Sequence, residues 1–245
     1  AMLDRQVGEV LALLKELGVE KNTLVFFSGD NGGADYFASA EHPRGVHSAN
    51  KHPATGLEYR GKKGTLYEGG LRVPFAASWP GTIPAGGSTD LLAYFPDVLP
   101  TVAEVTGANP PAGVDGLSLL PTLIGEKAAG RAQPRHDFLY WEINGWSAVR
   151  RGNWRAVRPP KMDWELYNLA TDPGESKDVA AANPDVLKRL VALAAGAHEP
   201  AREGTFADTA LHERDRRAKY GKHDDPSYEA TPSGIKKKPS AAPDK

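Results

Sequence analysis

The sequence predicts an α/β domain followed by a small α+β subdomain built on an antiparallel sheet. Three observations lead there. An amphipathic helical stretch runs into a short apolar strand closed by a glycine turn within the first 33 residues. Helix and buried-strand patterns then recur up to about residue 134. Beyond that point the pattern changes to closely spaced aromatic strands. With 245 residues and 40% hydrophobic content the chain can bury a real core, as one large domain or two modest ones. The expected division is 1–134, 135–206 and a charged tail over 207–245.

From residue 2 to 17, Leu3, Val7, Val10, Leu11, Leu14 and Leu17 follow the three-to-four spacing of one helical face, and Gly18 supplies a stop. That pattern predicts a helix packed on a neighbour. Residues 23–28 read as a strand, near-continuously apolar as a strand covered on both faces would be. Residues 34–60 are polar, rich in histidine and proline and aperiodic, which reads as a long functional loop. A second buried strand is expected over 73–79. A helix over 94–106 is expected to turn Phe95, Val98, Leu99, Val102 and Val105 inward, with a short apolar segment over 117–124.

Four strands follow at 138–141, 147–150, 154–157 and 165–168, joined by turns such as Arg151-Gly152-Asn153, which implies an antiparallel meander. Asn183 and Pro184 open a helix that carries Val186, Leu187, Leu190, Val191 and Ala194 on one face. After about Phe206 the chain is charged, contains the run Lys236-Lys237-Lys238, and is expected to lack order.

A formal net charge of −1 argues against a basic nucleic-acid binder, and no apolar run is long enough to span a bilayer, so a soluble protein is expected. The absence of cysteine excludes disulfides, thiolate metal sites and a cysteine nucleophile. Ala1-Met2-Leu3-Asp4 leads straight into the first helix instead of a basic and then an apolar segment, so no signal peptide is read and the chain is expected to start within a longer protein.

The chemistry-bearing residues lie in two segments. Asp30 and Asn31 follow the first strand at its carboxyl end, where open α/β sheets place ligands. Two oxygen donors with one negative charge suit calcium or magnesium. Asp-Asn-Gly-Gly is equally the composition of a tight turn. The segment from Tyr59 to Gly70 holds four glycines and the cations Arg60, Lys62 and Lys63, a composition that lets a backbone approach an anion beside a fixed charge. His42, His47 and His52 are either substrate-facing or plain surface histidines. Trp141, Glu142 and Trp146 either line a cleft or serve packing. Glu68 and Arg72 are expected to pair with each other.

Taken in order, Ser28-Gly29-Asp30-Asn31-Gly32, then Arg60-Gly61-Lys62-Lys63-Gly64-Thr65-Leu66-Tyr67-Glu68-Gly69-Gly70, then Trp79-Pro80-Gly81 resemble the type I, arylsulfatase-like sulfatases. The likeness continues through Phe95-Pro96-Asp97, Asp115-Gly116-Leu117, Gly152-Asn153-Trp154-Arg155 and Glu165-Leu166-Tyr167-Asn168 to about residue 206. It implies the C-terminal part of an alkaline-phosphatase-like domain that hydrolyses aryl or carbohydrate sulfate esters with bound calcium, or magnesium in its place. Asp30 and Asn31 would be metal ligands and Lys63 the sulfate-binding lysine, with a periplasmic or secreted location. The resemblance also implies a formylglycine nucleophile, made from a cysteine or serine in a C/S-x-P/A-x-R motif. No serine here has that surrounding. The chain is therefore expected to lack the nucleophile, to be inactive in isolation, to bind calcium weakly and to be prone to aggregation. A phosphatase or phosphonate hydrolase of the same superfold, and a non-catalytic remnant or binding protein, are the alternatives.

Overall fold

A computed structural model describes residues 2–34, 51–52 and 54–200, together with the backbone of 229–230 and 236–237. Two compact units are distinguished, Ala1–Ala197 and His198–Lys245. The tail expected to lack order falls outside the described residues except for two short strands of the second unit, Glu229–Ala230 and Lys236–Lys237, which pair antiparallel.

The first unit opens with α1 (Met2–Glu16), followed by β1 (Val25–Ser28). After the Lys63 loop come α2 (Glu68–Leu71) and β2 (Phe75–Ser78), then α3 (Val98–Thr106), α4 (Leu120–Ile124) and α5 (Glu126–Ala129). β1 and β2 form a two-stranded antiparallel ladder, with Val25 opposite Ser78 and Ser28 opposite Phe75. Helix α1 has the amphipathic pattern its spacing predicts, yet it buries none of its residues, and Leu3 and Leu17 are 61% and 62% exposed. Neither strand is covered on both faces, since Phe27 and Phe75 remain exposed. Both expectations of burial are corrected on the same ground: the apolar pattern is present, but the described residues leave those faces largely open, with Val7, Leu14, Val25 and Phe26 only half-buried.

The core lies at the other end of the unit. There β3 (Leu139–Ile143), β4 (Trp146–Arg151), β5 (Trp154–Arg158) and β6 (Glu165–Asn168) make an antiparallel meander in sequential order, followed by α6 (Pro184–Ala197). The expected strands and final helix are present. The β3–β4 hairpin turns on Asn144 and Gly145, both with positive φ, the pairing that a two-residue primed turn requires. In β4 and β5 consecutive residues are buried, Ala148 with Val149 and Ala156 with Val157, so both faces of the sheet are covered.

One face packs on α6, where Val149, Ala156 and Leu166 meet Leu190 and Ala194. The other face receives Leu66 and Tyr67 from the lysine-bearing loop, packed with Ala148, Val157 and Tyr167. Trp141 and Trp146 close over this second cluster, and Trp146 meets the Tyr67 ring edge-on at 5.3 Å, so both tryptophans serve packing.

The helix expected over 94–106 begins with a 3-10 turn, Phe95–Asp97, and continues as α3. Its inward face differs from the expectation. Phe95, Leu99 and Val102 are exposed, while Asp97, Pro100, Thr101 and Ala103 are buried. Polar groups win that face because they are fully bonded there. Asp97 accepts from the Tyr94 and Leu117 amides at 2.9 and 2.8 Å and meets His136 Nε2 at 2.8 Å, and Thr101 bridges the Asp97 carbonyl to the Leu119 amide.

Leu166, enclosed between sheet and α6, is expected to cost about 2–5 kcal/mol on substitution with alanine. The same change at Leu99, which is 49% exposed, should cost less than about 1 kcal/mol. Urea denaturation of the two variants checks this, and equal losses would contradict the assignment of faces.

Candidate functional site

Backbone hydrogen bonds join the two motif segments. The Gly32 amide donates to Gly70 O and the Lys63 amide to Gly33 O, both at 2.9 Å, and Gly29 N reaches Pro74 O at 3.2 Å. Asp30 and Asn31 therefore sit on a turn fastened on both sides to the lysine loop. Asp30 is exposed and Asn31 half-buried. The Asn31 side-chain amide donates to Gly32 O at 2.9 Å, which fixes the turn and commits its nitrogen. The turn reading and the cation reading of these residues are thus compatible.

Glycine is required here by backbone contact. A Cβ on Gly32 would collide with the Gly69 carbonyl, one on Gly69 with the carbonyls of Tyr59, Arg60 and Gly61, and one on Gly70 with those of Lys62 and Thr65. Of the four glycines in the lysine segment, Gly69 and Gly70 admit another stretch of the same backbone, whereas the space at Gly64 is open.

The three cations of the segment, with Arg72 just beyond it, divide into two kinds. Arg60 lies 4.0 Å over the Tyr67 ring, donates to Tyr167 Oη and pairs with Glu165 at 3.3 Å. Arg72 pairs with Glu68 at 2.9 Å, as expected. Both guanidiniums are thereby built into the fold. Lys62 and Lys63 are exposed. The Lys62 amide is closed on Thr65 Oγ1 at 3.1 Å, within its own turn, whereas the Lys63 amide is tied across to Gly33. Of the two lysines, Lys63 is the one anchored directly to the Asp30 turn.

Beneath the loop lies a buried charge network that sequence reading did not assign. Arg150 and Arg155 stand directly opposite each other in the β4–β5 ladder. Arg155, 1% exposed, donates from Nη1 to Glu68 Oε1 and from Nη2 to the Leu66 carbonyl, and its Nε lies 3.1 Å from Glu175 Oε1. The other Glu175 oxygen accepts the Glu68 amide at 2.6 Å. Burial works to raise the Glu68 carboxyl, but Arg155, Arg150 and Arg72 outweigh it and hold it below the ordinary range. Burial pushes Glu175 up to about 7, against the pull of Arg155 and the Glu68 amide. The signal available in the sequence is that β4 and β5 each carry two arginines, Arg150 and Arg151 and then Arg155 and Arg158, beside buried apolar residues.

His52 is occupied locally, its Nδ1 accepting from the Ala54 and Thr55 amides at 3.2 Å. His42 and His47 lie outside the described residues. Glu142 accepts from the Tyr140 hydroxyl. Among the described residues no group of three or more His, Asp or Glu side chains gathers as a metal cage. No described helix is long and apolar enough to cross a membrane.

Residues 1–108 match the family described as Sulfatase, and residues 60–193 match the one described as N-sulphoglucosamine sulphohydrolase, C-terminal. This chain belongs to the sulfatase family. It is 34% identical over 226 residues to arylsulfatase A of Homo sapiens, covering 78% of this chain and 41% of that protein. With N-acetylgalactosamine-6-sulfatase of Mus musculus it shares 35% identity over 179 residues, 71% of this chain and 31% of the relative. Among solved structures, Ps i-CgsB in complex with k-i-k-neocarrahexaose superposes with a TM-score of 0.63 at 26% identity, covering 87% of this chain and 45% of that one. A protein from a glycosaminoglycan-metabolism locus of Bacteroides thetaiotaomicron gives 0.61 at 26% identity, over 78% and 42%. These neighbours establish the alkaline-phosphatase-like sulfatase fold. The chain spans less than half the length of each of these relatives.

A testable consequence concerns Glu175. Its folded-state value lies above the ordinary 4.5, so the native state keeps a proton that the unfolded chain has lost. The stability this contributes is complete below the unfolded value and is lost as pH rises to about 7. Urea denaturation at about pH 5 and about pH 8 should show the wild type losing up to roughly 3 kcal/mol relative to Glu175→Gln, which mimics the protonated acid. A difference that is flat or of opposite sign would refute the assignment.

Proposed function

We propose that this chain is the C-terminal portion of a sulfuric ester hydrolase and supplies one wall of its active site. On this reading residues 1–134 belong to the catalytic domain and 135–206 form the subdomain that supports it. The observation that carries the proposal is the pair of backbone bonds that seats Lys63 on Gly33 and Gly32 on Gly70, because it joins a cation-holding turn to an anion-binding lysine in one rigid unit. The resemblance in sequence to arylsulfatase A and N-acetylgalactosamine-6-sulfatase supports the reaction class.

Asp30 and Asn31 would hold a calcium ion, or magnesium in its place, through two of its oxygen positions. When bound, that cation supplies positive charge to the sulfuryl oxygens. Lys63 carries the second positive charge, on a backbone bonded directly to the turn. As the ester S–O bond breaks its electron pair goes to the leaving alcohol oxygen, which takes up a proton, while positive charge arranged in advance binds the sulfuryl oxygens through the change without reorganising. The nucleophile is absent from this chain, which has no cysteine and no serine in a C/S-x-P/A-x-R setting. Formylglycine, the remaining metal ligands and the substrate-selecting groups belong on this reading to a polypeptide segment outside this sequence, and the isolated chain has no turnover. Aryl and carbohydrate sulfates are the substrate classes we assign, and the periplasm or the cell exterior is the location.

Assay of a parent chain that contains this segment and a matured nucleophile, with an aryl sulfate and a sugar sulfate, tests the proposal. Activity is expected, and Lys63→Ala should lower kcat by about 10²- to 10³-fold, equivalent to roughly 3–4 kcal/mol of barrier. Absence of hydrolysis in the matured parent would overturn it. For the isolated chain, calorimetry should find only weak calcium binding, and submicromolar affinity would contradict a two-ligand wall.

A further inference from the structure

We propose that Arg155 is a positioning residue for this site, holding the Lys63 loop in register with the Asp30–Asn31 turn from inside the meander sheet. The inference rests on the sulfatase reading for what the loop binds, but its geometry stands independently.

Arg155 reaches three groups from one guanidinium. Nη1 donates to the Glu68 carboxylate, Nη2 donates to the Leu66 carbonyl, and Nε faces Glu175 at 3.1 Å. Leu66 and Glu68 lie between Lys63 and Gly70, the residues whose backbones bond the turn. Glu175 closes the circuit by accepting the Glu68 amide at 2.6 Å. The segment from Lys63 to Gly70 is thus held at both ends by the turn and in its middle by Arg155. A displacement of Leu66 or Glu68 is transmitted to the Gly32 and Lys63 bonds, because the glycine contacts leave no space in which backbone can shift alone.

The other charged groups facing the network come from each element packed on it. Arg150 stands across the ladder from Arg155 with Nη1 3.8 Å from Glu68. Arg72 approaches Glu68 from the far end of α2. Arg60 lies over Tyr67 and bonds the Glu175 carbonyl at 3.4 Å. Each of these touches one side of the network. Of these arginines Arg155 is the one that bonds both Leu66 and Glu68, in the middle of the loop, and a lysine in its place would keep the charge without the fork.

The test is amide hydrogen exchange, resolved residue by residue in the full 245-residue chain, for the wild type, Arg155→Lys and Glu175→Gln. In R155K the Gly32 and Lys63 amides should exchange at least about tenfold faster while the α6 amides keep their rates, which a general loss of stability would not produce. E175Q, which preserves shape, should accelerate the same two amides by a smaller factor. Inorganic sulfate is then titrated into each sample, with the Lys63 resonances as readout. Weaker binding is expected for R155K than for the wild type. Unchanged exchange at Gly32 and Lys63, or acceleration spread evenly over the chain including unfolding of both variants, overturns the positioning role. Selective acceleration together with no response of the wild type to sulfate upholds that role and counts against the sulfatase reading of the loop.

Discussion

Two arginines stand opposite each other on one face of the meander, and everything around them is arranged to make that tolerable. Directly opposed like charges destabilise a ladder, and burying them adds a desolvation cost. Arg155 is almost fully enclosed and Arg150 is largely so, its guanidinium pKa lowered first by burial and further by Arg155. Neither strand carries a carboxylate on that face to compensate. Glu68 comes from α2 and Glu175 from the segment after β6, residues 87 and 20 positions from Arg155 in the chain. Breaking a buried pair by removing one partner leaves an uncompensated charge, so the network enforces one arrangement of three chain segments even where its net contribution to stability is small.

The shape of the lysine loop follows from that arrangement. To deliver Glu68 to Arg155 the chain must cross the sheet face, and it does so with Leu66 and Tyr67 filling the apolar space beside the arginines. The Glu165 carboxylate accepts from both the Tyr67 and the Tyr167 hydroxyls at 2.7 Å, and Arg60 stacks above the first of these rings. Burial and the neighbouring carboxylate both raise these phenols, so they remain donors throughout the physiological range. Once the middle of the segment is fixed, its end lies so close to the Asp30 turn that only glycine fits at Gly32, while Gly69 and Gly70 are closed in by carbonyls of the loop itself. Site geometry is in this sense a consequence of charge compensation in the neighbouring sheet.

Local periodicity carried most of the element positions: the meander, α1 and α6 all follow from alternation or helical spacing read over a dozen residues. Periodicity records which face is apolar and does not name what covers it. Hence α1 reads as a packed helix while Leu3 and Leu17 are open, and α3 reads as burying Phe95 and Leu99 while it buries Asp97 and Thr101. The second case could not be anticipated from hydropathy, because Asp97 is satisfied by Tyr94 locally and by Leu117 and His136 at 20 and 39 positions' remove. The candidate site divides the same way. Asp30, Asn31 and Lys63 stand out by residue type and spacing. Arg155 and Glu175 do not, since their partners are chosen by the tertiary fold, and the glycines were legible as a close approach without revealing that the approaching group is backbone.

The Lys63 loop and the Asp30 turn rest on supports of unequal strength. Lys63 belongs to a segment clamped by buried ion pairs and inserted into a closed hydrophobic cluster. Asp30 and Asn31 belong to the end of β1, whose partner β2 completes only a two-stranded ribbon with Phe27 and Phe75 exposed. A two-stranded ribbon is marginal in water without a third strand or a packed face. The turn therefore takes its order largely from the lysine loop, through the Gly32–Gly70 and Gly33–Lys63 bonds. Rigidity flows from the buried arginines outward, through Leu66 and Glu68 to Lys63, and only then to the residues that would hold a cation. On the proposed function, a site built in that direction would keep the Lys63 backbone in place whether or not a metal were bound, while Asp30 and Asn31 would gain their full order only when the apolar faces beside them are covered.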